Sequence, residues 1–379
     1  MTIKKSSAVL AVFLAAASAL VPVGAANAAY RFSDFQGRPP VHVYKSAQLK
    51  PSGVTPAEIK KIYNLPATGG KGTIALIDAY DDVNMESDLA IFDKQYNLPA
   101  CTTANGCFEK HKMASSTGAN SGWAMETSLD VEWAHAIAPS AKILLVEAKT
   151  PSGANLLSAI DYATSRKDVV AISMSWGGAE FSDELSYDTH FASKTSSSIA
   201  FFASSGDDGT GASWPASSPN VIGVGGTSLA LASSGALISE SAWSGSGGGV
   251  SAYEKEPTYQ STYKISKAGG MRVIPDVSYD ADPASGYSVY LTTGSGSKAK
   301  GSWNTVGGTS AGAPQWAAIQ ALGGSVTLAK FYADKASTSS LKYFRDITSG
   351  SNGDCTYYCD ARKRYDYVTG LGSPQTAKF

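Results

Sequence analysis

The sequence predicts one large α/β domain with a mostly parallel central sheet covered by helices on both faces. Three observations predict it. Short apolar runs recur between longer helical stretches, polar residues cluster just after those runs, and no stretch is rich enough in Pro or charge to divide the chain. The runs are Thr73–Ile77, Ala141–Val146, Val169–Ser173 and Ile199–Ala203. Short, continuously apolar strands separated by helices belong to parallel sheets buried on both faces. Helices are expected at 85–95, 124–137, 154–165 and 186–196, and another runs from near Ser310 through Ala321. The second half reads as looser, with Gly-Ser stretches at 244–249 and 294–302. Ligands of such sheets bind beyond the carboxyl ends of the strands. Three sequences stand there: Asp78 after the first run, Ser175-Trp176-Gly177-Gly178 after the third, and Ser204-Ser205-Gly206-Asp207 after the fourth.

Upstream of the first strand, Lys4 and Lys5 precede an apolar run from Ala8 to Val21, and Ala26-Asn27-Ala28 ends it. That layout predicts a secretory signal peptide at 1–28 and a secreted, extracellular protein. Residues 29–53 are polar, hold Pro39-Pro40 and Pro51, and show no sustained periodicity. They read as a short pro-segment or an arm on the surface. Thr55-Pro56-Ala57-Glu58 then opens a helix with Thr as N-cap and Glu completing a capping box, so the folded domain is expected at 54–379.

Composition narrows the function. Only 17% of the 379 residues are charged, against about 25% in an average soluble domain. With Lys plus Arg at 31 and Asp plus Glu at 32, no bulk positive charge is available for a nucleic acid. No apolar stretch beyond the N-terminus reaches the roughly 18 residues of a membrane span, so the mature form is expected off the membrane, as a monomer. The four cysteines fall into two close pairs, Cys101 with Cys107 and Cys355 with Cys359. Local disulfides fit an exported chain, and neither spacing is the C-x2-C of a zinc site.

The stretch around Glu126 carries the strongest chemical signal. At about 100° per residue, Asp130 falls about 40° from Glu126, and Trp133 and Ile137 about 20° on either side. Two carboxylates therefore share a stripe with large apolar side chains, while Glu132 and His135 form a polar back. Carboxylates on an apolar face should be paired, with at least one pKa raised. A second signal is Gly307-Gly308-Thr309-Ser310-Ala311-Gly312-Ala313-Pro314, which leads into a helix. A Ser at such an end faces unpaired amides and the positive end of the dipole. The four histidines, His42, His111, His135 and His190, read as surface or packing residues, which leaves a Ser-His-Asp site without its base.

With these motifs the chain resembles the sedolisins, serine-carboxyl peptidases with a subtilisin-like fold, from about Thr55 to Pro374. The anchors are Glu126-Thr-Ser-Leu-Asp130, Ser175-Trp176-Gly-Gly, Ser205-Gly206-Asp207, Gly247-Gly-Gly249, Pro275-Asp276-Val-Ser, Gly307-Gly-Thr-Ser310 and Thr369-Gly-Leu-Gly. The resemblance implies a catalytic triad of Ser310, Glu126 and Asp130, with Asp207 in the oxyanion hole. Asp78 and Trp176 match positions that extend the hydrogen-bond network behind Glu126. It also implies one Ca2+ site near the C-terminus, from the carboxylates of Asp346 and Asp366 and the carbonyls of Ile347, Arg362 and Arg364. Two departures stand out: a large prodomain is replaced by about 25 residues, and Arg362-Lys363-Arg364 stands where Gly-x-Gly is usual. The implied activity is endopeptidase action on peptides or proteins at acidic pH, because a carboxyl group donates a hydrogen bond only while protonated. The competing reading is a secreted binding or adhesion protein on the same fold without turnover.

Overall fold

The computed structural model describes residues 30–195, 198–333 and 343–379; the expected signal peptide lies outside the described residues. At its centre is an eight-stranded sheet. Across it run Leu237–Ala242, Ile222–Leu231, Ala200–Ser204, Val169–Met174, Thr73–Ala79, Lys142–Ala148 and Phe108–Lys112, with Val277–Asp280 added beside Ile222–Leu231. Every pairing is parallel except that of Leu237–Ala242. The expected α/β architecture is therefore present.

Alternation along the strands divides the core in two. Ile74, Leu76, Ile143, Leu145 and Phe202 point to one face and pack with the helices Ser121–Ile137 and Gly312–Ile319. Ala75, Ile77, Leu144, Val146 and Phe201 point to the other, under Leu156, Leu157 and Ile160 of the helix Gly153–Thr164. Both faces being buried explains why the strands read as unbroken apolar runs. Asp78 shares the parity of Ile74 and Leu76. It lies inside its strand rather than beyond it, so it points under the helix Ser121–Ile137. The capping box forms as expected: Glu58 N donates to Thr55 Oγ1 at 3.3 Å, and Thr55 N to Glu58 Oε2 at 2.9 Å.

Two expectations change. The helix at 186–196 is a 3-10 turn over Glu184–His190. The Asp188 carbonyl accepts from Phe191 N at 3.1 Å and from the Asn220 amide at 3.1 Å, which ends the turn there. The second half is more regular than its Gly-Ser content suggests. Tyr287–Thr293 and Lys300–Gly307 form an antiparallel hairpin, and buried Tyr287 meets Trp133 edge-on at 4.6 Å. Within the segment before the domain, His42–Gln48 is a strand antiparallel to Lys300–Gly307.

One buried ion pair anchors the C-terminal part. Arg272 meets both oxygens of Asp276, at 2.7 and 2.6 Å, and both side chains are fully buried. Asp276 also accepts from Gly223 N at 2.8 Å and from the Tyr332 hydroxyl at 2.7 Å. Removing one partner leaves the other charge uncompensated. Asp276→Ala should therefore cost about 3–5 kcal/mol, read as a lower urea midpoint; an unchanged midpoint would remove the pair from the fold's support.

Candidate active site

The helix Ser121–Ile137 begins on Asn120, whose side chain accepts from Gly122 N and Trp123 N at 3.0 and 3.1 Å. It passes through the interior, buried on all sides from Met125 to Ile137. The expected polar back is absent. Glu132 and His135 are fully buried too, because the hairpin and the helix Met85–Tyr96 close over them. Each has partners: Tyr290 N donates to Glu132 Oε2 at 3.0 Å, and His135 Nε2 meets Pro99 O at 2.9 Å and Asp93 Oδ1 at 3.3 Å. Burial pushes the His135 pKa down to about 4. It stays neutral, a packing residue as expected.

On the sheet side of this helix, Glu126, Asp130 and Asp78 are fully buried together. Burial pushes all three carboxyls well above their usual range, and each adds repulsion to a neighbour. The Ser310 hydroxyl and the Asp130 carboxyl adjoin Glu126 and partly offset its rise. Asp130 Oδ1 accepts from Ser175 Oγ at 2.8 Å, and the same hydroxyl reaches the Ser310 carbonyl at 3.3 Å. Ser175 thus ties Asp130 to the Ser310 backbone, a link its motif alone does not reveal. Ser310 lies in the 3-10 turn Thr309–Ala311 that feeds the helix Gly312–Ile319.

Asp207 follows the strand Ala200–Ser204 and contacts Thr309, the residue before Ser310. Its Oδ1 accepts from the backbone and the hydroxyl of Thr309, both at 2.8 Å, which leaves Oδ2 directed elsewhere. Burial raises its pKa, and His42 and Thr309 oppose the rise. His42 Nε2 stands 3.1 Å from Oδ2, so His42 is neither a plain surface nor a packing residue. Trp176 also departs from expectation: its indole N–H donates to Ile77 O at 2.9 Å rather than into the carboxyl network.

Near the C-terminus, Asp346 and Asp366 turn toward one loop. Asp346 accepts from Arg364 N at 2.9 and 3.0 Å; Asp366 accepts from Arg362 N at 3.0 Å and from Val368 N and Thr369 N at 2.9 and 2.7 Å. The Arg362 guanidinium leaves the loop for Asp360 at 3.3 Å and the Tyr357 ring at 4.6 Å, and the Arg364 side chain is exposed. With the cations turned out and two carboxylates turned in, this donor set is compatible with a divalent cation. Burial holds Asp366 up at about 7. The two expected disulfides, Cys101–Cys107 and Cys355–Cys359, are present.

A buried acid pair thus adjoins Ser310, and a third carboxyl, Asp207, is held by the residue before it. A model of the subtilase family matches residues 105–331. The chain is 29% identical to sedolisin of Pseudomonas sp. (strain 101), over 86% of this chain and 60% of that protein. It is 30% identical to kumamolisin of Bacillus sp. (strain MN-32), over 87% and 63%. It therefore spans about three-fifths of the length of these relatives. Pseudomonas sedolisin, a serine-carboxyl proteinase solved with two molecules of pseudo-iodotyrostatin, matches the structure with a TM-score of 0.71 at 28% identity, over 86% of this chain and 96% of that one. The chain belongs to the subtilase family and has the subtilisin-like fold of the sedolisins.

A carboxyl whose folded pKa is raised favours the native state most at low pH, and that contribution falls as pH rises through and above the unfolded value of about 4.3. Glu126→Gln removes this loss. The variant should gain stability relative to wild type between about pH 4 and pH 7. Urea melts showing a constant difference across that range would mean that Glu126 has the same pKa in the folded and unfolded chains.

Proposed function

We propose that this protein is a secreted serine-carboxyl endopeptidase that hydrolyses peptides or proteins at acidic pH. The observation that carries the reading is the buried Glu126–Asp130 pair beside Ser310, with Asp207 across from it. Glu126, sharing protons with Asp130, removes the Ser310 proton as Oγ attacks the scissile carbonyl. Asp207, protonated at Oδ2, donates to the oxyanion while Thr309 fixes its other oxygen. Glu126 then passes its proton to the leaving amine, and water repeats the sequence on the acyl-enzyme. Asp130 is oriented by Ser175, and Asp78 adds repulsion that keeps the Glu126 pKa high. The domain spans 54–379 behind a short pro-segment at 29–53, and the working form is a monomer off the membrane. Export is supported by the N-terminal sequence, and no helix among the described residues is long and apolar enough to cross a membrane.

Denatured casein, incubated with the protein from roughly pH 3 to pH 8, tests the reading. Ser310→Ala and Glu126→Gln should each abolish most turnover, since such residues act as a unit. Near wild-type turnover in Glu126→Gln, with loss in a histidine variant, would overturn the carboxyl triad. Asp207→Ala should lower turnover roughly 10²–10³-fold. Asp207→Asn keeps a donor at every pH and should lose less activity as pH rises.

One Ca2+ at the C-terminal loop would be held by the carboxylates of Asp346 and Asp366 and the carbonyls of Ile347, Arg362 and Arg364. Its contribution is stability rather than chemistry. At about a hundredfold excess over Kd, linkage adds about 2.7 kcal/mol. A chelator should lower Tm and Ca2+ restore it, with metal found on elemental analysis; a Tm indifferent to both would exclude the site.

A further inference from the structure

Five cations gather where two distant segments meet. The helix Thr258–Tyr263 ends at Lys264, with Lys267 shortly after it, and the loop beyond the Cys355–Cys359 disulfide carries Arg362, Lys363 and Arg364. The Tyr367 hydroxyl donates to the Ser266 carbonyl at 2.8 Å, which ties one segment to the other. Between them lies a cleft of about 210 Å³, with Lys264, Tyr357, Arg362, Lys363 and Arg364 on its walls. Tyr357 sits in the 3-10 turn Thr356–Tyr358, which the disulfide closes. Lys267 Nζ stands 3.8 Å and the Arg362 guanidinium 4.6 Å from the centre of its ring. One aromatic ring thus holds a cation from each segment.

The charge gathered here is barely neutralised. All five residues are exposed. Among the described residues their one ion pair is Arg362 with Asp360, at 3.3 Å and itself exposed, a contact of little energy. Asp346 and Asp366 spend their carboxylates on backbone N–H groups instead. In a chain with 31 basic and 32 acidic residues, this is a local concentration and not a consequence of composition. The backbone adds a second observation. Lys264, Lys267 and Arg364 hold φ at 66°, 66° and 69°, the left-handed region that costs an L-residue energy. Residues kept there by their surroundings gather at binding sites. The Ca2+ site proposed above uses Arg362 and Arg364 only through their carbonyls, so none of the five side chains serves it or the chemistry at Ser310.

We propose that this cleft is an exosite for a polysaccharide carrying sulfate or phosphate esters. Like charges fixed side by side repel, and an anionic chain laid across them binds with release of its counterions. Guanidinium forks and ammonium groups both match the oxygens of such esters. A carboxylate polymer loses charge as pH falls toward about 4, whereas these esters keep theirs. That choice of anion rests on the acidic working pH of the peptidase reading; the patch itself does not. A single-stranded nucleic acid is held by rings free to stack on its bases. Here Tyr357 is engaged by Lys267 and Arg362, and Tyr365 and Tyr367 turn their hydroxyls to the carbonyls of Pro275 and Ser266. None of the five cations lines the openings beside Asp207, so the bound chain holds the protein on an anionic matrix without entering the active site.

Calorimetry of heparin and of a phosphorylated dextran with the full chain carrying Ser310→Ala, at about pH 5 and about pH 7, tests the exosite without turnover. At least one polymer should bind at both pH values, and the pair tells sulfate from phosphate. Roughly tenfold or more of the affinity should vanish between about 50 and 200 mM salt. Lys264→Gln, Lys267→Gln and Lys363→Gln combined should weaken binding roughly tenfold or more at an unchanged Tm. The same change at Lys94, Lys142 and Lys298, exposed cations outside the cleft, should leave affinity nearly as it was. Bound polymer should also slow hydrogen exchange within 264–267 and 356–365, a footprint that needs no variant. Binding of neither polymer, equal loss from the two sets of substitutions, or a footprint elsewhere overturns the proposal. Tighter binding of a DNA oligonucleotide or of polyglutamate overturns the partner class. Casein turnover by the chain with Ser310 intact is measured separately, so a protein that binds the polymer but never hydrolyses overturns the peptidase reading alone.

Discussion

Desolvation of three carboxyl groups is the constraint around which the interior is organised. Asp78 on the central strand and Glu126 and Asp130 on the helix above it are fully buried within one another's reach. An isolated ionised carboxylate in such a place costs so much that the group takes up a proton instead. The cluster therefore holds protons, and holds them through mutual repulsion as well as burial. That state requires a helix enclosed on every side, since water at its outer face would restore the ordinary pKa values. The hairpin Tyr287–Thr293 and Lys300–Gly307 supplies the cover, and Trp133 Nε1 bonded to Ser288 O at 3.0 Å joins cover to helix.

Glu126 and Asp130 come from the helix Ser121–Ile137 and Asp207 from the loop after the strand Ala200–Ser204, so their registration about Ser310 depends on short polar links. Ser175 at the end of Val169–Met174 touches both Asp130 and the Ser310 carbonyl. Thr309, one residue before Ser310, holds Asp207 by two bonds, and its hydroxyl accepts from Gly206 N at 3.2 Å. Each link is a hydroxyl bridging elements that the sheet alone places side by side. A site built on strand ends and a helix start is more precisely held than one carried by loops.

Much of this was legible in the sequence. The four apolar runs are strands, and the Glu126–Asp130 spacing placed both acids on the sheet side of their helix. What escaped was set by long-range contact. Rotating the helix by its periodicity assigned Glu132 and His135 to solvent, because nothing local announces that the hairpin will cover them. The 3-10 turn at Glu184–His190 ends on a side chain from residue 220, beyond any local window. Residues 29–53 lack periodicity because their fold is borrowed: Phe35 is buried by Trp176, Phe181 and Trp214, and His42–Gln48 is a strand only beside Lys300–Gly307. His42 read as incidental for the same reason, since its partner lies 165 positions further on.

Glu126 and Asp207 are held in contrasting ways. Asp207 is pinned: Thr309 occupies one oxygen with two donors, which fixes the plane of the carboxyl and aims the other oxygen. A group that must donate to a developing charge benefits from that fixity, because no reorganisation is needed when the charge appears. Among the described residues, no backbone amide donates to Glu126, and its neighbours are a hydroxyl and two other carboxyls. Its charged form therefore has no backbone donor to stabilise it, and burial keeps its pKa well above the usual range. Burial pushes both carboxyls up; His42 and Thr309 oppose the rise at Asp207, and Ser310 and Asp130 oppose it at Glu126.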